Sequence, residues 1–224
     1  MKDSAKIDLE ESVHYDEMEA EFHEKMINSP NPLRRWFHNS KNQLLLKTIK
    51  SFYSKKGLIV DLGCGTVNWN TEKLPVLGID QNEKMLLKAK QEERLQDFRV
   101  LPIQQTGLPS KSTDLVVISE VLEHISDYPK AIQEIHRILK TNGICIATVP
   151  YDTFISFWKP FFALQCFLRG TLKGEEYFKK GAGHVNHFSP KTIARAFEEN
   201  GFRVEKQFDN IRFTIFTVVR KVSD

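Results

Sequence analysis

The chain has 224 residues, 41% of them apolar and 27% charged, with a formal net charge of +3. That profile describes a soluble globular chain, most simply one domain over 1–224 with room for a real core. It excludes a disordered or low-complexity class, and charge alone gives no reason to expect nucleic acid. Residues 1–30 hold nine acidic and three basic residues, so an acidic stretch precedes an otherwise basic chain. The three cysteines, Cys64, Cys145 and Cys166, are far apart and suit a reduced compartment better than a disulfide framework. No secretory apolar region and no run of ~18 apolar residues is visible, which points to a cytoplasmic location.

In chain order, residues 1–40 read as a polar, irregular arm or lid, broken at Ser29-Pro30-Asn31-Pro32. The spacing predicts a helix over 43–53, a strand over 57–62, a second strand over 75–80, a helix over 82–92 and a third strand near 97–103. Strand four, 114–119, is β-branched and apolar. Ala131, Ile132, Ile135, Ile138 and Leu139 recur at helical spacing within 129–140, Asn142-Gly143 ends that helix, and 144–149 is strand five. Alternating strands and helices with short links imply parallel βαβ units. An insert over 151–188 follows, then a helix at 190–200 and two consecutive strands, 202–208 and 214–221, expected as an antiparallel pair at the sheet edge. The organisation is thus arm 1–40, core 41–150, insert 151–188 and closing unit 189–224.

The most informative residues lie where strand one ends, in Asp61-Leu62-Gly63-Cys64-Gly65-Thr66, and where strand two ends, at Asp80. A glycine-rich strand exit lets backbone N–H groups approach a ligand, and an acid ending the next strand can accept two ribose hydroxyls. A dinucleotide fingerprint wants a third glycine where Asn68 stands, and the closing β-pair also turns against NAD. Only 19 positions separate Asp61 from Asp80, so the first crossover must be a short turn with little helix-dipole support.

These residues resemble the class I S-adenosylmethionine-dependent methyltransferases, as do Gly78-Ile79-Asp80, Leu108-Pro109 with Asp114, Glu120-Val-Leu-Glu123-His124, and Leu139-Lys140 with Gly143. The resemblance implies a Rossmann-like α/β fold: a mostly parallel seven-stranded sheet with an antiparallel edge strand and helices on both faces. It implies S-adenosylmethionine as cofactor. Gly63, Cys64 and Gly65 would line its methionine and ribose part, with Asp61 supporting that loop. Asp80 would take the ribose hydroxyls, Gln104 the adenine amino group, and Ser119 would lie at the methionine end.

Glu120, Glu123 and His124 stand at i, i+3 and i+4 after strand four. On a helical turn they would share one face and offer ligands to a divalent ion such as Mg²⁺, with His184 or His187 as a fourth ligand. The alternative is that no metal binds and His124 is structural or a general base; a phenol, with a free pKa of ~10, would profit from either aid. The insert opens with many aromatics, Pro160 interrupts any continuous helix there, and six Lys/Arg face two Glu from Lys159 to Lys191. Three uses fit: a lid packing on the core, contact of 151–169 with a membrane surface or long apolar substrate, and a dimer contact. With Gly174-Glu175, Tyr177, Gly183-His184 and Phe188-Ser-Pro190, the insert is similar to that of the ubiquinone-biosynthesis O-methyltransferases. So is Asn31-Pro32-Leu33-Arg34, where that likeness assigns Arg34 to the cofactor carboxylate, with Lys41 as rival. The expected function is O-methylation of a hydroxylated, lipophilic small molecule such as a polyprenyl phenol or quinol. C- or N-methylation by the same fold, metal-assisted ribose 2′-O-methylation of RNA and non-catalytic S-adenosylmethionine binding are the alternatives; nucleic-acid base N-methylation is disfavoured by Ser119-Glu120-Val121-Leu122. The oligomeric state is not legible.

Overall fold

Seven segments pair into one sheet: β1 (Ile59–Leu62), β2 (Val76–Asp80), β3 (Asp97–Val100), β4 (Thr113–Ser119), β5 (Leu139–Pro150), β6 (Phe202–Asn210) and β7 (Thr214–Lys221). The computed structural model describes residues 18–54, 57–153, 156–172, 174 and 184–222. Strand order is β3-β2-β1-β4-β5-β7-β6. Pairs are parallel as far as β5, and β7 runs antiparallel to both β5 and β6. The expected closing pair is present, with β7 set inside and β6 on the edge.

Helices cover both faces. On one, α2 (Pro32–Phe52) and α3 (Glu83–Gln91) bring Leu45, Ile49, Leu86 and Ala89 against Ile59, Val117, Ile146 and Val218. On the other, α4 (Tyr128–Ile138) and α6 (Pro190–Glu198) bring Ile132, Ile135, Ile193 and Phe197 against Val60, Val116, Ile118 and Val219. Alternate residues of β4 thus feed opposite cores, the period-two rule in a sheet buried on both sides. Lys221, 1% exposed at the end of β7, donates from Nζ to the carbonyls of His136 (3.0 Å) and Leu139 (3.1 Å), closing the carboxyl end of α4.

Three expectations need correction. Residues 22–40 are not irregular: α1 (Phe22–Ile27) precedes α2, which starts eleven residues before the expected helix. The Ser-Pro-Asn-Pro break is its start signal, since Asn31 Oδ1 accepts from Leu33 N and Arg34 N and Pro32 occupies the first turn. Pro160 does not interrupt the insert either. It lies in the first turn of α5 (Trp158–Gln165), where a missing N–H costs nothing, and the rod continues as a π-helical turn over Cys166–Thr171. Third, α4 ends at Ile138 rather than at Asn142-Gly143; these two sit in β5, where the register with β4 shifts and Asn142 has φ 64°.

The β1–β2 crossover contains no helix, as the spacing predicts. Side chains hold it instead. Asn70 accepts from Leu74 N and donates to the carbonyls of Leu74 and Arg94, while Trp69, 4% exposed, fills the space under the loop.

Candidate functional site

Asp61, Gly63, Cys64, Gly65, Asp80 and Ser119 lie at the carboxyl ends of β1, β2 and β4, and Gln104 in the turn after β3, whereas Arg34 stands in the first turn of α2. Gly63 and Gly65 have φ of 64° and 52°, a left-handed backbone that glycine adopts without penalty. A Cβ on Gly63 would come within 2.6 Å of Val121 Cγ2. Asp80 Oδ2 accepts from Gly65 N at 2.8 Å and its Oδ1 accepts from Asn82 N at 2.8 Å. Each oxygen keeps a second lone pair, so two hydroxyls can still be bound. Leu101 N donates to Asp80 O, which brings the turn carrying Gln104 alongside Asp80.

Asp61 is 2% exposed and accepts from Trp69 Nε1 at 2.8 Å. Burial pushes its carboxyl up to about 7, opposed by the Trp69 bond and reinforced by the charge of Asp80. The Cys64 thiol is pushed far up by burial and by the same two carboxylates, so Cys64 is a packing residue here and not a nucleophile. Its Sγ rests on Gly78, where a Cβ would approach to 2.7 Å.

The arm covers this cradle. His23 of α1 lies on Gly65, and its Nδ1 is 3.3 Å from Thr66 Oγ1. Asn82 Nδ2 donates to Met18 O at 3.0 Å, and Glu24 lies 3.4 Å from Lys88. Burial and the charge of Lys41 lower the pKa of His23 to about 4, so it docks as a neutral ring. Lys41 Nζ is 3.8 Å from Glu120 Oε2 at the exit of β4, whereas Arg34 lies one helical stretch back, donating to Met26 Sδ. Of the two rivals for a cofactor carboxylate, Lys41 is the one beside the β4 exit.

Past β4 the expected helical turn does not form. Glu120 has φ 57°, and Leu122–His124 make a single 3₁₀ turn. Glu120 is thereby turned from its expected partners: its Oε1 accepts from Thr148 Oγ1 at 3.0 Å, and Thr148 in turn meets Ser119 Oγ at 2.8 Å. Glu123, His124 and His184 do come together, with one ligand atom of each within 4.8 Å of the others. Glu123 is 1% exposed and its Oε2 has no hydrogen-bond partner among the described residues; burial and the charge of Glu120 push its carboxyl well up. Burial lowers the pKa of His184 to about 4. Phe162 of α5 stacks on His184, with ring centroids 5.3 Å apart and an 8° interplanar angle. His187, the other candidate fourth ligand, instead pairs with Asp152.

A strap of residues 184–188 holds the turn. Val185 N and Asn186 N donate to Glu123 O, and Asn186 Nδ2 donates to the carbonyls of Leu122 (3.0 Å) and Ile125 (2.7 Å). Asn186, Trp69 and His23 were not singled out from sequence; an indole eight residues past a buried acid is the one local hint among them. The acidic residues 1–17, Phe154, Glu175, Tyr177, Gly183 and the side chains of Trp158 and Phe161 lie outside the described residues.

Residues 60–147 match a family model described as a methyltransferase domain. The chain is 29% identical over 164 residues to a demethylmenaquinone methyltransferase of Staphylococcus epidermidis, covering 64% of this chain and 66% of that one. A Staphylococcus aureus protein of the same name is 27% identical over 193 residues, covering 76% of each. The match to the first of these thus spans just under two thirds of the relative's length. Among solved structures, a putative S-adenosylmethionine dependent methyltransferase from Listeria monocytogenes aligns at 17% identity and a TM-score of 0.59, covering 83% of this chain and all of that one. The [4+2]-cyclase SpnF aligns at 14% and 0.63, covering 84% and 83%, so the fold by itself does not fix the chemistry.

Proposed function

Taking the chain as an S-adenosylmethionine-dependent methyltransferase of the class I fold, we propose that it methylates a hydroxyl oxygen on an apolar small molecule of the phenol or quinol type. The observation that carries this reading is the Glu123–His124–His184 group beside the cradle, roofed by the Phe162 ring. The quinone name carried by the Staphylococcus relatives supports the substrate class.

S-adenosylmethionine, when bound, supplies a methyl group on a positively charged sulfur. Asp80 offers lone pairs to a ribose diol, the Gln104 turn lies at the adenine side, and Lys41 offers a cation to a carboxylate. Ser119 and Thr148 form the floor between cradle and acceptor. On the acceptor side, imidazoles of His124 and His184 can take or hold a hydroxyl proton, and Phe162 offers an apolar ring face to the substrate body. Burial keeps His184 neutral at physiological pH, so it can accept. Excluding water and orienting the oxygen would supply most of the rate.

A divalent ion fits the same group, but not the ligand set first expected. With Glu120 turned to Thr148, two imidazole nitrogens and one carboxylate remain. That donor set suits zinc or manganese better than Mg²⁺, which prefers oxygens. The ion would polarise the substrate hydroxyl.

Radiolabelled cofactor, offered with a panel of polyprenyl phenols and naphthoquinols with and without EDTA, tests the reading. Label should enter the organic phase, in a product that has lost a free hydroxyl, and His124→Ala should lower turnover ~100-fold. Loss of activity on chelation, restored by zinc or manganese, assigns the metal role; indifference to EDTA assigns His124 as base. Label entering only RNA, or cofactor bound without any transfer, would overturn the proposal.

A further inference from the structure

Helix α4 carries one charged residue inside its apolar stripe. Glu134 stands three residues after Ala131 and four before Ile138, both buried, and is itself 8% exposed. A buried carboxylate is costly unless it is paired and hydrogen-bonded, and an apolar side chain of similar size would serve packing at least as well. Both oxygens of Glu134 are bonded. Arg137, one turn on, grips it side-on, with Nε 2.7 Å from Oε2 and Nη2 2.8 Å from Oε1. Thr106 donates to Oε1 twice, from N at 2.9 Å and from Oγ1 at 2.6 Å. Burial acts to raise the pKa of Glu134, but the bonds from Arg137 and Thr106 prevail and lower it, so the carboxylate stays ionised.

What this pair holds is the turn after β3. Thr106 is fully buried; its carbonyl accepts from Arg99 Nη1 of β3 at 3.2 Å, and its Oγ1 accepts from Leu108 N at 3.2 Å. Arg137 Nη2 continues to Leu108 O at 2.8 Å and its Nη1 to Ser110 Oγ at 3.1 Å. Upstream, Gln105 N donates to Pro102 O at 3.0 Å, which closes a β-turn with Ile103 and Gln104 at its centre. Ile103 is buried in the core and Gln104 beside it is half-buried. Leu101 N meets Asp80 O before the turn, and Thr106 meets Glu134 after it. Gln104 is thus suspended between two fixed points, one on β2 and one on α4.

We infer that Glu134 and Arg137 are positioning residues for the nucleobase. Through Thr106 they fix where the Gln104 amide stands, and with it the preference for adenine over a purine that lacks the 6-amino group. The inference rests on the reading of Gln104 as acceptor for that amino group. A single hydrogen bond of this kind discriminates by about three- to tenfold, and it is lost once the atoms stand more than ~3.5 Å apart. Without Glu134 the buried Thr106 N–H would lack its acceptor, and the turn would have to shift to bring that group to water. Gly107, at φ 66°, gives the backbone beside it the freedom to do so.

The test is titration calorimetry of the full chain with S-adenosylhomocysteine and with its analogue in which purine replaces adenine, so that only the amino group is missing. The wild type should bind the adenine ligand about three- to tenfold more tightly, and Gln104→Ala should abolish that preference. Glu134→Ala should bring the ratio below about twofold although Gln104 is intact. Glu134→Gln, which still offers an oxygen to Thr106, should retain most of it. A role in packing alone would lower the melting temperature and weaken both ligands alike, leaving the ratio unmoved. A thermal melt verifies that each variant is folded; should Glu134→Ala not fold, Thr106→Val, which removes only the hydroxyl from the network, takes its place and should also lower the ratio. A wild-type ratio in the folded variant would overturn the inference and leave Gln104 as the amino-group contact. Equal binding of the two ligands by the wild type would retire Gln104 from that role, and the inference with it. Neither result bears on which acceptor is methylated.

Discussion

The glycine loop itself is built by contacts between residues close in sequence, with Asp61 meeting Trp69, Gly65 meeting Asp80 and Asn82 capping its own helix through Met85 N, and the arm then covers it from afar through His23 and Met18. Around the turn after β4, the contacts span more than sixty positions: Asn186 reaches back to Leu122 and Ile125, and Val185 to Glu123. The proposed donor side is built into two strand ends. The proposed acceptor side is a shelf held by a strap from a distant part of the chain. A fold that keeps one methyl donor and changes acceptors would place its constraints in that way.

The largest test of this contrast is Gly63→Ala. The added Cβ meets Val121 at a left-handed φ, so the variant should lose stability by ~1–3 kcal/mol and cofactor affinity along with it. Thermal melting and calorimetry with S-adenosylmethionine should both register the change; a melt shift with unaltered affinity would break the claim that the donor side is one unit. Asn186→Ala should act on the other side alone. It leaves the partly buried carbonyls of Leu122 and Ile125 short of a donor, and turnover should fall about tenfold while cofactor affinity stays within about twofold. Equal losses in both quantities would erase the distinction.

A smaller and more specific effect is the pH dependence at Asp61. Its folded pKa, about 7, lies above the ordinary 3.8. The folded state therefore keeps a proton that the unfolded chain releases, so this group removes stability as pH rises from about 4 to 7 and adds no further change above. His23 and His184, lowered to about 4, act with the opposite sign between about pH 4 and 6.5. The informative quantity is thus the difference in unfolding free energy between wild type and Asp61→Asn. It should decline by at most a few kcal/mol across pH 4–7 and level off beyond. A flat difference would mean that Trp69 and residual solvent compensate the buried charge fully.

Legibility from sequence follows the same division. The strand ends, the helix-free first crossover and the closing antiparallel pair are local patterns, and they are present as expected. Glu120 was misplaced because the i, i+3, i+4 argument presumes a helix, and one residue at φ 57° followed by a 3₁₀ turn rotates it away. Pro160 was misread because a proline breaks a helix interior and yet fits a first turn. Asn186 and His23 depend on partners 64 and 43 positions away, and no local pattern announces such contacts.

The position of β7 bears on how the molecule is made. As the chain is synthesised, β6 emerges before β7, yet it can join the sheet only across β7. Until residues 214–221 have left the ribosome, β5 presents an open edge and the last carbonyls of α4 await the ammonium of Lys221. The nascent chain must therefore carry an unpaired strand edge, mostly apolar from Ile144 to Val149, while residues 151–213 are added. Such an edge is a template for pairing with another chain until β7 covers it.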